Sequence, residues 1–147
     1  MLSVFSDESF MKKAIQEAEI AYAEGEVPVG AVIVCNNVVI AKAHNQTEKL
    51  GDITAHAEIL AITAAANYLG SKFLTDCTLY VSLEPCVMCA GAIKWARLSK
   101  VVYGASDDRH GFMKYGKELL HPSSTLEYGI CNEKCSQLMK SFFKELR

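Results

Sequence analysis

The sequence predicts an α/β fold with three α/β/α layers around a five-stranded mixed sheet, in one domain over residues 1–147. Three observations carry this. Hydrophobic periodicity switches between helical and strand-like stretches in the order α-β-β-α-β-α-β-(α)-β-α. The first two strands read as a hairpin, while helical crossovers join the later ones, so antiparallel and parallel pairs mix. The strands are Val- and Ile-rich runs, which suits a sheet covered on both faces.

Each element has its own signal. Ser6 to Glu24 is amphipathic, with Phe10, Ala14, Ile15, Ala18 and Tyr22 at helical spacing, Asp7 as the expected N-cap and Gly25 as the stop. Val29 to Cys35 and Val38 to Ala43 are β-branched runs around Asn36-Asn37, a strong hairpin turn. His44 to Ile53 is expected to be a polar loop. Thr54 to Tyr68 is an alanine-rich helix opening at His56-Ala57-Glu58. Thr78 to Ser82 is a strand, and Val87 to Leu98 a helix opening on Cys86-Val87-Met88-Cys89. Lys100 to Tyr103 and Leu126 to Tyr128 are further strands, separated by a loop, Asp107 to Pro122, that holds at most a short helix. Asn132 to Leu146 closes the chain as a helix. Both motif-bearing helices start at one end of the sheet, where open α/β folds place their ligands.

Composition narrows the function classes. Half the residues are hydrophobic and 22% are charged, as in an ordinary globular protein. No run approaches the ~18 apolar residues of a membrane span, and no membrane partner is expected. The first residues, Met1 to Asp7, lack a basic stretch followed by an apolar one, so no signal peptide is expected. Of six cysteines, Cys86 and Cys89 belong to a motif. Cys35 and Cys77 lie in apolar strands, and Cys131 and Cys135 fall on one face of the last helix, so buried free thiols and a reducing cytoplasm are expected. The net charge of −2 is unevenly spread: residues 1–90 carry 5 basic and 11 acidic side chains, residues 91–147 carry 10 and 6. A basic C-terminal portion suits a phosphate backbone, and equally a solvated helix face.

The chemistry sits in two motifs, His56-Ala57-Glu58 and Pro85-Cys86-Val87-Met88-Cys89. His56, Cys86 and Cys89 are three zinc-type ligands, one zinc ion per chain. Three protein ligands leave a fourth tetrahedral position open, the mark of a catalytic site. A zinc-held water has its pKa lowered toward about 7, and Glu58 is a spare carboxylate placed to move protons. On a regular helix, residues two apart do not share a face. His56 and Glu58 converge only if the metal lies at the helix end. Three blander readings exist. Cys86 and Cys89 could form half of a four-cysteine structural site with Cys131 and Cys135, or a redox dithiol, and His56 could be a satisfied core histidine. The H-x-E beside P-C-x-x-C counts against all three, and it is the signature of zinc deaminases.

Over nearly its whole length the chain resembles the bacterial tRNA adenosine deaminases, most strongly from Val27 to Gly104. Val27-Pro28-Val29-Gly30-Ala31 resembles their pocket floor, and Asn45 matches the asparagine that reads the purine edge. Thr54 to Glu58 and Leu79 to Ala92 match the two metal motifs. Val102-Tyr103-Gly104-Ala105 with Asp107 resembles the strand and acidic residue near the substrate ribose. Ser141-Phe142-Phe143 resembles the C-terminal helix that helps hold the anticodon loop. The resemblance implies a cytidine-deaminase-like fold, a homodimer, and conversion of adenosine to inosine at the wobble position of a tRNA. It implies that Glu58 shuttles protons, that Asn45 orients the base, and that Ala57 (through its N–H), Glu84 and Pro85 line the pocket. The chain departs from the family pattern at Ile53, where proline is common, and over Asp107 to Tyr115, where bulky residues replace small ones. Phe112 and Tyr115, interleaved with Arg109, Lys114 and Lys117, suit stacking on splayed bases or, equally, packing on the sheet or across a dimer contact. Two other functions stay open: a deaminase of a free base or nucleoside (guanine or cytosine), and a non-catalytic zinc-stabilised nucleic-acid-binding module.

Overall fold

The computed structural model describes residues 4–146. Met1 to Ser3, on which the leader reading partly rests, lie outside them, as does Arg147. The first helix, α1, spans Asp7–Ala23. Its N-cap is Ser6, not Asp7: the Ser6 hydroxyl accepts the Ser9 N–H at 3.1 Å. Asp7 is free for a longer-range role, since its carboxylate accepts the Tyr80 hydroxyl at 2.7 Å and pairs with Lys100 at 3.1 Å.

Strands β1 (Gly30–Cys35) and β2 (Val38–His44) form the expected hairpin. Asn36 and Asn37 both take positive φ, 51° and 63°, as a primed turn demands. Strand β3 (Cys77–Leu83) pairs antiparallel with β1, then β4 (Lys100–Ala105) and β5 (Thr125–Tyr128) continue in parallel. The order is β2-β1-β3-β4-β5, a five-stranded mixed sheet with helices on both sides.

Period-2 alternation assigns the faces. Val32, Val34, Tyr80 and Val102 pack with Phe10, Met11, Ala14 and Ile15 of α1 and with Cys135 of α5 (Asn132–Glu145). Ala31, Ile33, Leu79, Val81, Val101 and Tyr103 face the other way. They meet α3 (Ala57–Leu69) and α4 (Val87–Ala96), which lie against each other. Gly30 lets α1 approach closely, because a Cβ there would run into the Ala14 carbonyl.

Several local expectations need correction. The 44–53 segment contains a short helix, α2 (Thr47–Leu50). The third helix begins at Ala57 rather than Thr54, because Thr54 is drawn into a turn by the Asp52 carboxylate (2.8 and 2.7 Å). The fourth ends at Ala96, where Arg97 turns left-handed at φ 59°. Cys131 is not on the last helix but caps it, half-buried at φ 57°, and Cys35 is half-buried while Cys77 and Cys135 are buried. All six thiols are free. The 107–122 segment carries two 3-10 turns, Phe112–Lys114 and Lys117–Leu119.

Candidate active site

Two helix N-termini converge at one end of the sheet. His56 is the N-cap of α3 and Cys86 the N-cap of α4, both with extended backbones. Neither side chain caps its own helix, so both are free to point outward from the helix ends. Cys89 follows one turn into α4 and is buried. His56 Nδ1 lies 3.7 Å from the Cys86 sulfur and 3.5 Å from the Cys89 sulfur, and the three donor atoms fall within 4.8 Å of one another. A tetrahedral ion with bonds of about 2.3 Å to sulfur and about 2.0–2.1 Å to nitrogen separates such donors by about 3.6 Å. The group is therefore spaced to hold a metal ion.

The electrostatics agree. The Cys89 thiol hydrogen-bonds Cys86 and, helped by His56, holds the Cys86 thiol down at about 4 against the opposing effect of burial. The same contact pushes the Cys89 thiol upward, and burial adds to it. Two sulfurs this close, one of them buried, do not both ionise readily without a cation between them. His56 is raised, chiefly by its hydrogen bond to Cys86. Glu58 is not one of the three grouped donors, although its carboxyl hydrogen-bonds the Cys89 thiol. It sits in the first turn of α3, only 3% exposed, and burial pushes its carboxyl up to about 7. A carboxyl poised near neutrality both accepts and donates a proton readily.

A cavity of about 1040 Å³ opens over these groups. That is the upper end of ordinary ligand pockets. Val29, Asn45, His56, Ala57, Glu58, Glu84, Cys86, Asp107, Arg109 and Phe143 all line it. Pro85 and Cys89 are not among its lining residues. Pro85 is buried, and its carbonyl accepts the Phe112 N–H at 2.9 Å. Asn45 is 7% exposed and donates from Nδ2 to the Val27 carbonyl at 3.3 Å. Its Oδ1 is the only buried side-chain polar atom without a partner among the described residues. An orphaned buried acceptor costs free energy unless a ligand satisfies it.

The rim is built by long-range bonds. Glu84 is buried, and its two oxygens accept the Asp107 and Met113 N–H groups, each at 3.0 Å. Gly111 must lack a side chain here, since a Cβ would strike the Glu84 carboxylate. One oxygen of Asp107 accepts the Arg109 and His110 N–H groups at 3.1 Å, forming a turn that holds both residues at the cavity. Phe112 is fully buried edge-on to Tyr103, so it packs on the sheet and is closed to base stacking. Tyr115 is exposed, with the Lys114 ammonium 5.9 Å above its ring, and neither Lys114 nor Lys117 lines the cavity.

Sequence reading missed most of the α5 wall. Ser136, Met139, Lys140 and Phe143 line the cavity at i, i+3, i+4 and i+7, a helical stripe legible in principle. It also missed Thr47, Ser106, Asp108 and His110, for which no spacing rule exists.

A family model described as MafB19-like deaminase matches residues 5–147. A tRNA-specific adenosine deaminase from Aquifex aeolicus (strain VF5) is 46% identical over 145 residues, covering 95% of each chain. The chain belongs to the tRNA-specific adenosine deaminase family. A solved tRNA:A34 deaminase, studied for A-to-I editing at the wobble position of transfer RNA, matches with TM-score 0.82 and 38% identity. That match covers 88% of this chain and 97% of the other. A guanine deaminase from Bacillus subtilis is 45% identical with TM-score 0.66, over 69% of this chain and 65% of its own. The fold of the solved tRNA:A34 deaminase thus coincides with that of this chain.

Proposed function

We propose that this family member is a zinc-dependent hydrolase that converts adenosine to inosine at the wobble position of a tRNA. The observation that carries the reading is Glu58, a buried carboxylate beside a three-donor metal group and outside it. A purely structural site has no use for such a group, which counts against the non-catalytic module. His56, Cys86 and Cys89 would hold the zinc ion, one per chain. Zinc bound there lowers the pKa of an adjacent water toward about 7 and polarises it for attack.

Glu58 takes a proton from the attacking water and delivers it to the purine ring nitrogen. It then carries the second water proton to the departing amine. The exocyclic amine leaves as ammonia and the water oxygen stays on the ring carbon. The Asn45 Oδ1 accepts a hydrogen bond from the bound nucleoside. Ala57 and Glu84 line the pocket, with Pro85 behind them, while Val29 forms its floor. A loop adenosine costs less to unstack than a paired one.

The cavity continues from the metal group to the exposed side chains of Arg109, His110, Lys140 and Phe143. This supports a substrate larger than a free base, with Arg109 and Phe143 against the anticodon loop and Asp107 near the ribose. The Bacillus subtilis guanine deaminase supports the second reading, a free-base deaminase on the same scaffold.

Three further readings accompany the proposal. Residues 1–147 form one deaminase domain. The chain works as a homodimer through α4, supported by the exposed Val87, Met88 and Trp95 (80% exposed). It acts in the cytoplasm, supported by six free thiols and by the absence, among the described residues, of any helix able to cross a membrane. The deciding experiment offers the enzyme an adenosine-bearing anticodon stem-loop, then free adenosine, guanine and cytosine. Inosine in the stem-loop supports the proposal, whereas xanthine or uracil alone would replace it with the second reading.

A further inference from the structure

Glu26 is 2% exposed and has no part in the mechanism above. Among the described residues its carboxylate forms no ion pair with an ammonium or guanidinium. Instead one oxygen accepts the Glu48 N–H at 3.0 Å and the other the Lys49 N–H at 2.8 Å, and Thr47 Oγ1 lies 3.5 Å away. These are the N–H groups of α2 that an N-cap would normally satisfy. Gln46, at the cap position, makes no side-chain cap bond. A helix of only four residues does not hold itself together. Glu26 is therefore the remote cap on which α2 depends.

Asn45 lies between the two ends of this brace. On one side its N–H donates to the Val29 carbonyl at 3.0 Å and its Nδ2 to the Val27 carbonyl at 3.3 Å. On the other side Gln46 donates to Ala55 at 3.0 Å, and Thr47, at the start of α2, lines the cavity. Glu26 bonds the segment before Val27 to the segment after Gln46, so it closes a frame around Asn45. The frame also fixes the amide's sense, since the Val27 carbonyl requires Nδ2 and leaves Oδ1 for the ligand.

We infer that Glu26 is a positioning residue for substrate recognition: it caps α2 and thereby aims the unsatisfied Oδ1 of Asn45 into the cavity. This rests on the reading of Asn45 given under the proposed function. Glutamine keeps the length and one acceptor oxygen but presents an NH₂ to a backbone N–H. Aspartate keeps the charge but falls one methylene short.

The test is a double-mutant cycle on stem-loop deamination with Glu26→Gln, Asn45→Ala and the pair. Glu26→Gln should lower kcat/KM by about 10–100-fold, as small misplacements of a contacting group do. Zinc content and melting behaviour should stay close to wild type, because the metal group lies on α3 and α4. If Glu26 acts through Asn45, the double variant loses no more than Asn45→Ala alone. Multiplying losses in the double variant, or wild-type kcat/KM in Glu26→Gln, overturns the inference. Should Glu26→Gln fold poorly, Glu26→Asp enters the same cycle under the same criterion. If Asn45→Ala itself is fully active, the reading of Asn45 fails first and the inference falls with it, while zinc-dependent turnover leaves the proposed activity standing.

Discussion

The metal end and the mouth of the cavity are built by opposite strategies. At the metal end, His56, Glu58, Cys86 and Cys89 come from the first turns of two packed helices, within two short motifs. At the mouth, Arg109 and His110 ride on a loop, while Lys140 and Phe143 come from the last helix, all exposed. On the proposed reading these groups hold a metal ion and move protons, tasks that fail with errors of a fraction of an ångström, and they sit on rigid elements. A large polyanionic ligand spreads its recognition over many weaker contacts, which tolerate a loop. The loop is still not loose, because the buried Glu84 ties Asp107 and Met113 to the segment leading into Cys86.

The largest effects belong to the metal end. The Cys86→Ala/Cys89→Ala variant should lose its zinc and all turnover. Metal analysis of the purified protein checks this, and stoichiometric zinc in the variant would refute the ligand assignment. Glu58→Ala should keep its zinc and lose about 10²–10⁴-fold or more in rate, the usual range for a general acid–base group. Single-turnover rates paired with metal content separate base from ligand. Near-normal turnover would hand the proton steps to another group.

At the mouth the expected changes are smaller and different in kind. The Arg109→Ala/Lys140→Ala variant should bind the stem-loop more weakly and lose up to about 0.7 in log–log salt slope per phosphate contact removed. Its zinc should be intact. Lys114→Ala and Lys117→Ala, away from the cavity, should change the slope less. Titrations from low to moderate salt decide the matter, and equal losses at all four positions would dissolve the distinction between mouth and periphery.

Asp7→Asn, remote from both regions, sets the baseline. Burial raises the Asp7 carboxyl, but hydrogen bonds from Tyr80 and Lys100 outweigh it and hold its pKa below the ordinary 3.8. A depressed carboxyl contributes stability above its unfolded pKa, and that contribution disappears as pH falls through the folded value. The variant should therefore be less stable by about 1 kcal/mol at neutral pH. Denaturation curves should converge with wild type well below pH 4, and turnover at pH 7 should be unchanged.

The two regions also differ in how far the bare chain foretold them. Motif spacing sufficed for the metal group, because all its members lie within three residues of a helix start. Asn36-Asn37 and the β-branched runs around it announced the hairpin, since positive φ is rare outside such turns. The sequence by itself thus determined the strands and their order along the chain, through periodicity and local backbone preference, and the three candidate donors with the spare carboxylate, through motif spacing.

Tertiary structure decided the rest. Only the fold shows that Asp7 reaches Tyr80 and Lys100, and so leaves the N-cap to Ser6. Only the fold turns Phe112 inward, leaves Arg109 rather than Lys114 at the cavity, and lets Glu26 cap a helix twenty-odd residues away. The physical reason is common to these cases. Each side chain takes the partners that packing brings to it, and for the Asp7 and Glu26 carboxylates those partners lie far off along the chain. Local sequence carries no record of them, because the choice is made by which segments meet when the two faces of the sheet are covered.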